Sequence, residues 1–276
     1  MIDANLLFKK SIANSLTLLN LFLGFVSIVL ISISISNNND YNLIIYACNL
    51  IFVASIIDML DGKIARKLGI SSDFGKQLDS LADLVSFCVA PSFLIFSYYY
   101  ELIEINFILL SILSSLTLLT GAIRLAKFNI SDNHSNNDYY IGLPTPANAI
   151  FICSLILYMY NLPQNNITLF FSNNSSFDFF NILNYPLEFI FSNNVFMVLV
   201  FYIFTSILLV SNIAYFKFTK VSSLDTKTII GFLIFFILFC FGFFKGRHDI
   251  VLLFFILVYI LRGILSYFYL KIIKKG

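Results

Sequence analysis

Charged residues are scarce in this sequence, since Asp, Glu, Lys and Arg make up only 12% of 276 residues while 59% are hydrophobic. Such a composition lies far outside the usual range of soluble globular domains. Apolar runs of about 20 residues, enough to cross a hydrocarbon core of roughly 30 Å, recur along the whole chain. Because a helix satisfies its own backbone groups in lipid, we predict one all-α, polytopic membrane domain over residues 1–276.

Cysteine is also scarce and forms no site pattern. The four cysteines, at positions 48, 88, 153 and 240, lie in apolar segments without CxxC or Cys/His spacing. This distribution argues against a zinc site and against a disulfide framework. The net charge of +2 is too small to indicate a nucleic-acid partner, so we expect none.

The few basic residues predict the orientation of the spans. Lys9 and Lys10 precede the first apolar run and place the N-terminus in the cytoplasm. Six predicted spans form a core over about residues 10–215, and about two more lie within residues 226–270. The connection 161–194 has no Lys or Arg, as expected of an external loop. Lys245 and Arg247 disagree with this pattern, because an eight-span model places them outside.

Four carboxylates cluster in the segment DMLDGKIARKLGISSDFGKQLDSLAD, which begins at Asp58 and ends at Asp83. Asp58 and Asp61 are three residues apart, and Asp79 and Asp83 are four apart, so each pair shares one helix face. Each acid could pair with a nearby basic residue. Four acids together in membrane spans instead indicate function, and hard oxygen ligands suit magnesium, manganese or calcium.

Small and basic residues accompany these acids. Glycines permit close approach of a phosphorylated ligand, and Arg66 can pair with phosphate oxygens in a forked geometry. We therefore predict a pyrophosphate ligand, with one free carboxylate that removes a proton from an attacking hydroxyl group. In the first span, Thr17, Asn20, Gly24 and Ser27 form a small and polar stripe. The stripe fits either a helix-packing seam or the lining of a polar cleft.

The pattern Asp58-x-x-Asp61-Gly62-x-x-Ala65-Arg66, eight residues, Gly75, three residues, Asp79, three residues, Asp83 resembles the signature of the CDP-alcohol phosphotransferases. The resemblance implies a six-helix membrane core, a homodimer, and displacement of CMP from a CDP-alcohol by a second alcohol.

The same resemblance implies a role for each residue of the signature. Asp58, Asp61 and Asp79 would hold divalent metal, Mg²⁺ or Mn²⁺, while Asp83 would complete the second metal's shell and act as general base. The residues implied to line the nucleotide and the diphosphate are Gly62, Ala65, Arg66 and Gly75. The stretch from Asn14 to Gly24, which contains Thr17 and Asn20, resembles the family's first helix, whose polar residues help form the CDP pocket.

Two later segments bear on the acceptor. GAIRLAKFN (121–129) and YYIGLPTPAN (139–148) look like segments of the phosphatidylserine synthases within this family. They imply CDP-diacylglycerol and L-serine as substrates for phospholipid biosynthesis, at an active site on the cytoplasmic face. The serine carboxylate needs a cation, for which Arg124 and Lys127 are candidates, although either could be an ordinary snorkelling residue. Thr145 and Asn148 are candidate polar contacts or helix caps.

Two alternatives stay open from the sequence. The acceptor could be glycerol 3-phosphate, an inositol phosphate or choline, but a phosphorylated acceptor should bring extra Arg or Lys near the pocket. The carboxylates could also line a metal-ion transporter. A transporter should carry polar residues through both leaflets, whereas here the acids lie at the inner ends of two predicted helices.

Overall fold

A computed structural model describes residues 4–37, 40–68, 72–102, 106–131, 139–161, 195–216, 238–243 and 245–273. The helices are α1 (Ala4–Ser36), α2 (Tyr41–Leu68), α3 (Asp73–Asp83), a π-helix (Leu84–Val89), α4 (Ala90–Leu102), α5 (Phe107–Ser114), α6 (Leu116–Ser131), α7 (Thr145–Asn161), α8 (Val195–Val210) and α9 (His248–Ile273). Two short strands, β1 (Tyr139–Ile141) and β2 (Ala214–Phe216), pair antiparallel. Residues 238–243 are also helical.

Five helical segments of the described residues are long and apolar enough to cross a membrane. They are Ala13–Ser36, Tyr41–Ile64, Asp73–Tyr100, Phe107–Ile130 and His248–Tyr269, with the shorter apolar helix Phe196–Val210 beside them. The predicted all-α, polytopic membrane architecture is therefore confirmed. The predicted seventh span, about residues 228–244, lies mostly outside the described residues, and the division into a core and C-terminal spans stays a prediction.

The sixth predicted span ends earlier than expected. It was expected to reach Tyr215, but α8 ends at Val210 and the chain then turns into β2. Here the backbone groups pair with another segment rather than with their own helix, since Tyr140 lies opposite Tyr215 in the strand pair. Gly142 continues this attachment, with its amide donating to the Ile213 carbonyl at 2.8 Å.

Helix α7 forms the centre of the bundle. Its side chains from Ala149 to Tyr158, apart from the half-buried Ile150, are buried on all sides, as expected for a helix that is hydrophobic all round. The large apolar side chains at the outer surface, such as Phe22, Phe25 and Leu119, are exposed and suit contact with lipid. The N-terminus of α7 begins at Thr145, close to the aspartates, and its C-terminus reaches the opposite end of the bundle.

A polar network joins three helices at that opposite end. Tyr41 of α2 donates to the Asn161 side-chain oxygen at 2.6 Å, and the Asn161 amide donates to Asp249 of α9 at 3.3 Å. Asp249 also forms an ion pair with Arg247 at 3.6 Å. A buried acid thus partly neutralises the charge of Arg247. This ion pair explains how a basic residue can lie at the end of the bundle opposite the aspartates, where the loop charges predict few basic residues.

Candidate active site

Three carboxylates meet where α2 and α3 approach each other. One oxygen from each of Asp58, Asp61 and Asp79 lies within 4.8 Å of the others. The i, i+3 spacing on α2 turns Asp58 and Asp61 to one side of that helix. Thr17 of α1 donates a hydrogen bond to Asp61 Oδ2 at 2.8 Å, which fixes the orientation of this buried carboxylate. Hard oxygen donors at this separation fit a divalent cation, which would also relieve their mutual repulsion.

Asp83 lies one helical turn beyond Asp79, beside the same cluster. Its carboxyl group is within hydrogen-bonding reach of the Asp58 carboxyl group. The Thr145 hydroxyl donates to Asp83 Oδ2 at a long 3.5 Å, so this hydrogen bond is weak. Among the described residues, no donor reaches the buried Oδ1 atom. Asp83 therefore retains an oxygen that can accept a proton from a bound molecule.

The π-helix after Asp83 packs closely against α1. Ser86 donates to the backbone oxygen of Asn20 at 2.9 Å. At Gly24 an added Cβ would lie 2.7 Å from Ser86 Cα, so only glycine permits this approach. Both side-chain amide atoms of Asn20 are buried without a hydrogen-bond partner in the described part of the chain. Unpaired buried amide atoms of this kind are costly unless a ligand or water contacts them.

The remaining residues predicted to contact CDP lie on α2 and α3. Gly62 is half-buried on α2. The Gly75 amide donates to Ser72 Oγ at 3.1 Å, and a Cβ added at Gly75 would lie 3.6 Å from Asn14 Oδ1 of α1. The side chains of Ala65 and Arg66, which belong to the last turns of α2, lie outside the part of the chain that the structure describes.

Of the four residues predicted for the acceptor, three are buried near Asp83. Arg124 is only 9% exposed, interacts electrostatically with Asp83, and has no hydrogen-bond partner for Nε among the described residues. Asn148 lies one turn after Thr145 and is fully buried, again with both amide atoms unpaired within the described ranges. Lys127 is exposed on α6 and does not join this group.

Two neighbours of Arg124 were not selected from the sequence. Tyr140 of β1 and Tyr259 of α9 both interact electrostatically with Arg124. No local signal distinguishes them, because the chain has 15 tyrosines and a tyrosine in an apolar segment is ordinary. Their placement depends on the folding of segments that are far apart along the chain.

The comparisons with known proteins agree with this geometry. The model of the CDP-alcohol phosphatidyltransferase family matches residues 10–176. A CDP-diacylglycerol–serine O-phosphatidyltransferase of Helicobacter pylori J99 is 39% identical over 155 residues, which is 55% of this chain and 61% of that protein. A protein of the same name from Methanocaldococcus jannaschii is 39% identical over 149 residues, 53% of this chain and 62% of the relative.

One relative is named for a different lipid product. The archaetidylserine synthase of Methanothermobacter thermautotrophicus is 39% identical over 144 residues, 51% of this chain and 56% of that protein. The chain thus spans about three fifths of the length of these relatives, namely 61%, 62% and 56%.

Proposed function

Because the chain belongs to the CDP-alcohol phosphatidyltransferase family, we propose that it transfers the phosphatidyl group of CDP-diacylglycerol to the hydroxyl group of L-serine. The products are phosphatidylserine and CMP. The observation that carries this proposal is the carboxylate cluster with Asp83 and the buried Arg124 beside it. One acid that can accept a proton and one cation that can hold a carboxylate suit a small hydroxy amino acid.

The reaction exchanges one P–O bond for another. The serine hydroxyl oxygen attacks the phosphorus that carries diacylglycerol, and a new P–O bond forms. The bond from this phosphorus to the CMP phosphate oxygen breaks, and CMP leaves with the electron pair. Asp83 takes the proton of the serine hydroxyl group. Arg124 holds the serine carboxylate, while Thr145 and Asn148 supply polar contacts to the acceptor.

The residues that bind the donor surround the carboxylate cluster. Asp58, Asp61 and Asp79 would hold divalent metal, for which we propose Mg²⁺ or Mn²⁺, and Asp83 would complete the set. When bound, such a cation would neutralise negative charge on the phosphate of the departing CMP. The residues proposed to contact CDP are Thr17, Asn20, Gly62, Ala65, Arg66 and Gly75.

We also propose that this site faces the cytoplasm in a homodimer. Lys63 on α2 and the exposed Lys76 on α3 flank the aspartates, and the positive-inside tendency supports this orientation. Labelling of Lys76→Cys, in a protein whose four native cysteines are replaced by Ser or Ala, with a membrane-impermeant thiol reagent in intact and in opened cells tests the orientation. The mass of the purified protein in detergent tests the dimer.

The acceptor is tested with purified protein, CDP-diacylglycerol and either Mg²⁺ or Mn²⁺. Release of CMP is measured with L-serine, glycerol 3-phosphate, an inositol phosphate and choline in turn. We expect CMP release only when L-serine is the acceptor. CMP release with another alcohol but not with serine would overturn serine as the acceptor and leave the family assignment intact. No CMP release with any of these alcohols, together with ion flux in vesicles, would favour a transporter.

The role of Asp83 is tested with Asp83→Asn, which keeps the size of the side chain but removes its basicity. We expect CMP release to fall by at least about a hundredfold, the lower range for loss of a general base, with CDP-diacylglycerol binding largely retained. Asp73→Asn on the same helix is the control, because Asp73 is exposed. An active Asp83→Asn enzyme would remove Asp83 from the role of base.

A further inference from the structure

Helix α9 reaches the buried Arg124, although α9 lies beyond the residues 10–176 that match the family. Its Tyr259 interacts electrostatically with the guanidinium group. Arg124 has five N–H donors, is nine-tenths buried, and leaves Nε without a partner in the described ranges. A buried guanidinium group of this kind needs an acceptor, so the surroundings of Arg124 indicate a ligand-binding position.

Packing holds Tyr259 at this position. Its ring centroid lies 5.5 Å from that of Tyr215 on β2, and Tyr215 lies opposite Tyr140 in the strand pair. One turn after Tyr259, Gly263 lies so close to the Tyr215 ring that an added Cβ would be 2.3 Å from it. The contact of α9 with β2 therefore places Tyr259 on one side of Arg124, while β1 places Tyr140 nearby.

Buried polar atoms without a partner among the described residues come from three neighbouring elements, α3, α6 and α7. Asp83, with its available Oδ1, lies toward the carboxylate cluster, and Arg124 lies beside it. The unpaired amide of Asn148 comes from the same buried face of α7 as Thr145. A small molecule with a hydroxyl group near Asp83 and a carboxylate near Arg124 would satisfy these atoms.

We propose that Tyr259 positions the guanidinium group of Arg124 for the carboxylate of the acceptor, so that α9 completes the acceptor end of the pocket and favours an amino acid there. The inference rests on the proposed function and extends it to a residue outside the family match. Tyr259 is a positioning residue, because it acts on the acceptor through Arg124. Its loss should therefore weaken acceptor binding and leave the binding of the nucleotide lipid unchanged.

The test compares two isosteric variants in the full-length protein. Tyr259→Phe keeps the ring and its stacking on Tyr215 but removes the hydroxyl group. We expect the KM for L-serine to rise about tenfold, within the usual range for coupled residues, because the hydroxyl group no longer interacts electrostatically with Arg124. The kcat and the KM for CDP-diacylglycerol should stay nearly unchanged. Tyr215→Phe is the matched control, since the buried Tyr215 hydroxyl has no partner among the described residues. Both variants are also melted in detergent.

A double-mutant cycle shows whether the effect passes through Arg124. In an Arg124→Lys background, Tyr259→Phe should change the serine KM much less than it does in the native protein, because coupled residues are not additive. Additive effects would overturn the inference. If Tyr259→Phe does not fold, Tyr259→Met, whose flexible side chain fills the same space, carries the same expectation.

The other outcomes separate this inference from the proposed function. A wild-type protein that uses serine, with an unchanged serine KM in the Tyr259→Phe variant, overturns the inference alone. An equal rise in KM for the Tyr215 and Tyr259 variants would indicate packing only and would also overturn it. A wild-type protein that releases no CMP with serine overturns the proposed function, and the inference with it.

Discussion

The hydroxyl group of Thr17 shows how a single residue outside the aspartate segment contributes to the site. Thr17 lies on α1, yet its hydroxyl group donates to Asp61 at 2.8 Å. The sequence placed Thr17 on a polar stripe that fitted either helix packing or a cleft. The structure shows the stripe packing α1 against its neighbours, with Thr17 contacting a carboxylate of the cluster. A role of the stripe in lining a cleft stays a prediction.

A substitution of Thr17 tests whether this hydrogen bond orients a metal ligand. Thr17→Val keeps the shape of the side chain and removes the donor, so Asp61 becomes free to turn. We expect the Mg²⁺ or Mn²⁺ concentration for half-maximal CMP release to rise about tenfold or more, the usual cost of losing a partner of a metal ligand. Thr17→Ser keeps the hydroxyl group and should resemble the native protein. An unchanged metal requirement in Thr17→Val would contradict this role.

At the scale of elements, the strand pair β1–β2 determines where α7 begins. Gly142 follows β1 with a φ of +78°, a backbone conformation that side chains with a Cβ rarely adopt. Its amide donates to Ile213, and the next amide, of Leu143, donates to Leu208. These hydrogen bonds attach the turn to the end of α8. Thr145 then begins α7 close to Asp83, with Pro146 tolerated in the first helical turn.

Two glycines with positive φ separate the two costs of adding a Cβ at this turn, the cost of backbone conformation and the cost of steric overlap. A Cβ at Gly142 would lie 2.3 Å from the Leu209 carbonyl oxygen, whereas at Gly246, with a φ of +67°, it would meet nothing within 4 Å. Gly246→Ala should therefore lower stability by about 1 kcal/mol through backbone conformation alone. Gly142→Ala should lower stability by a further ~1–3 kcal/mol through overpacking. It should also lower the rate of CMP release.

Melting temperatures in detergent and initial rates of CMP release check both variants. The Gly246→Ala protein should keep its activity, since Gly246 lies at the opposite end of the bundle. Equal losses of stability in the two variants would contradict the close approach at Gly142.

For the molecule as a whole, the two ends of the bundle have separate tasks. One end carries the carboxylate cluster, while the other is held by the network of Tyr41, Asn161, Asp249 and Arg247. Tyr41 and Asp58 are 17 residues apart on α2, which corresponds to about 25 Å along a helix. This separation allows the network to stabilise the bundle without contacting a substrate.

A pair of tyrosine variants tests this division. Tyr41→Phe removes the donor of the 2.6 Å hydrogen bond to Asn161 and should lower stability by about 1 kcal/mol. Tyr46→Phe on the same helix changes a side chain that is 59% exposed and should have little effect. Thermal melting in detergent measures the difference. The rate of CMP release and the serine KM should stay at native values for both variants, and a lower rate at unchanged stability would argue against separate tasks.

Much of this molecule could be predicted from local pattern. The apolar runs indicated the spans because a bilayer imposes a minimum length on a helix, and five helical segments of the described residues meet that length. The spacing of Asp58 and Asp61, and that of Asp79 and Asp83, predicted one acidic face on each of two helices, because helical periodicity turns each pair to one side. The roles of these residues stay predictions.

Other features were decided only by the tertiary structure. The π-helix after Asp83, the pairing of Tyr140 with Tyr215, and the approach of Tyr259 to Arg124 depend on contacts between segments distant in sequence. The sequence by itself determined which segments are long and apolar enough to cross a membrane and which helix faces carry acids, because these properties follow from composition and periodicity within one helix. The folded chain decided what surrounds Arg124, because burial, pairing and close approach arise only when separate elements pack together.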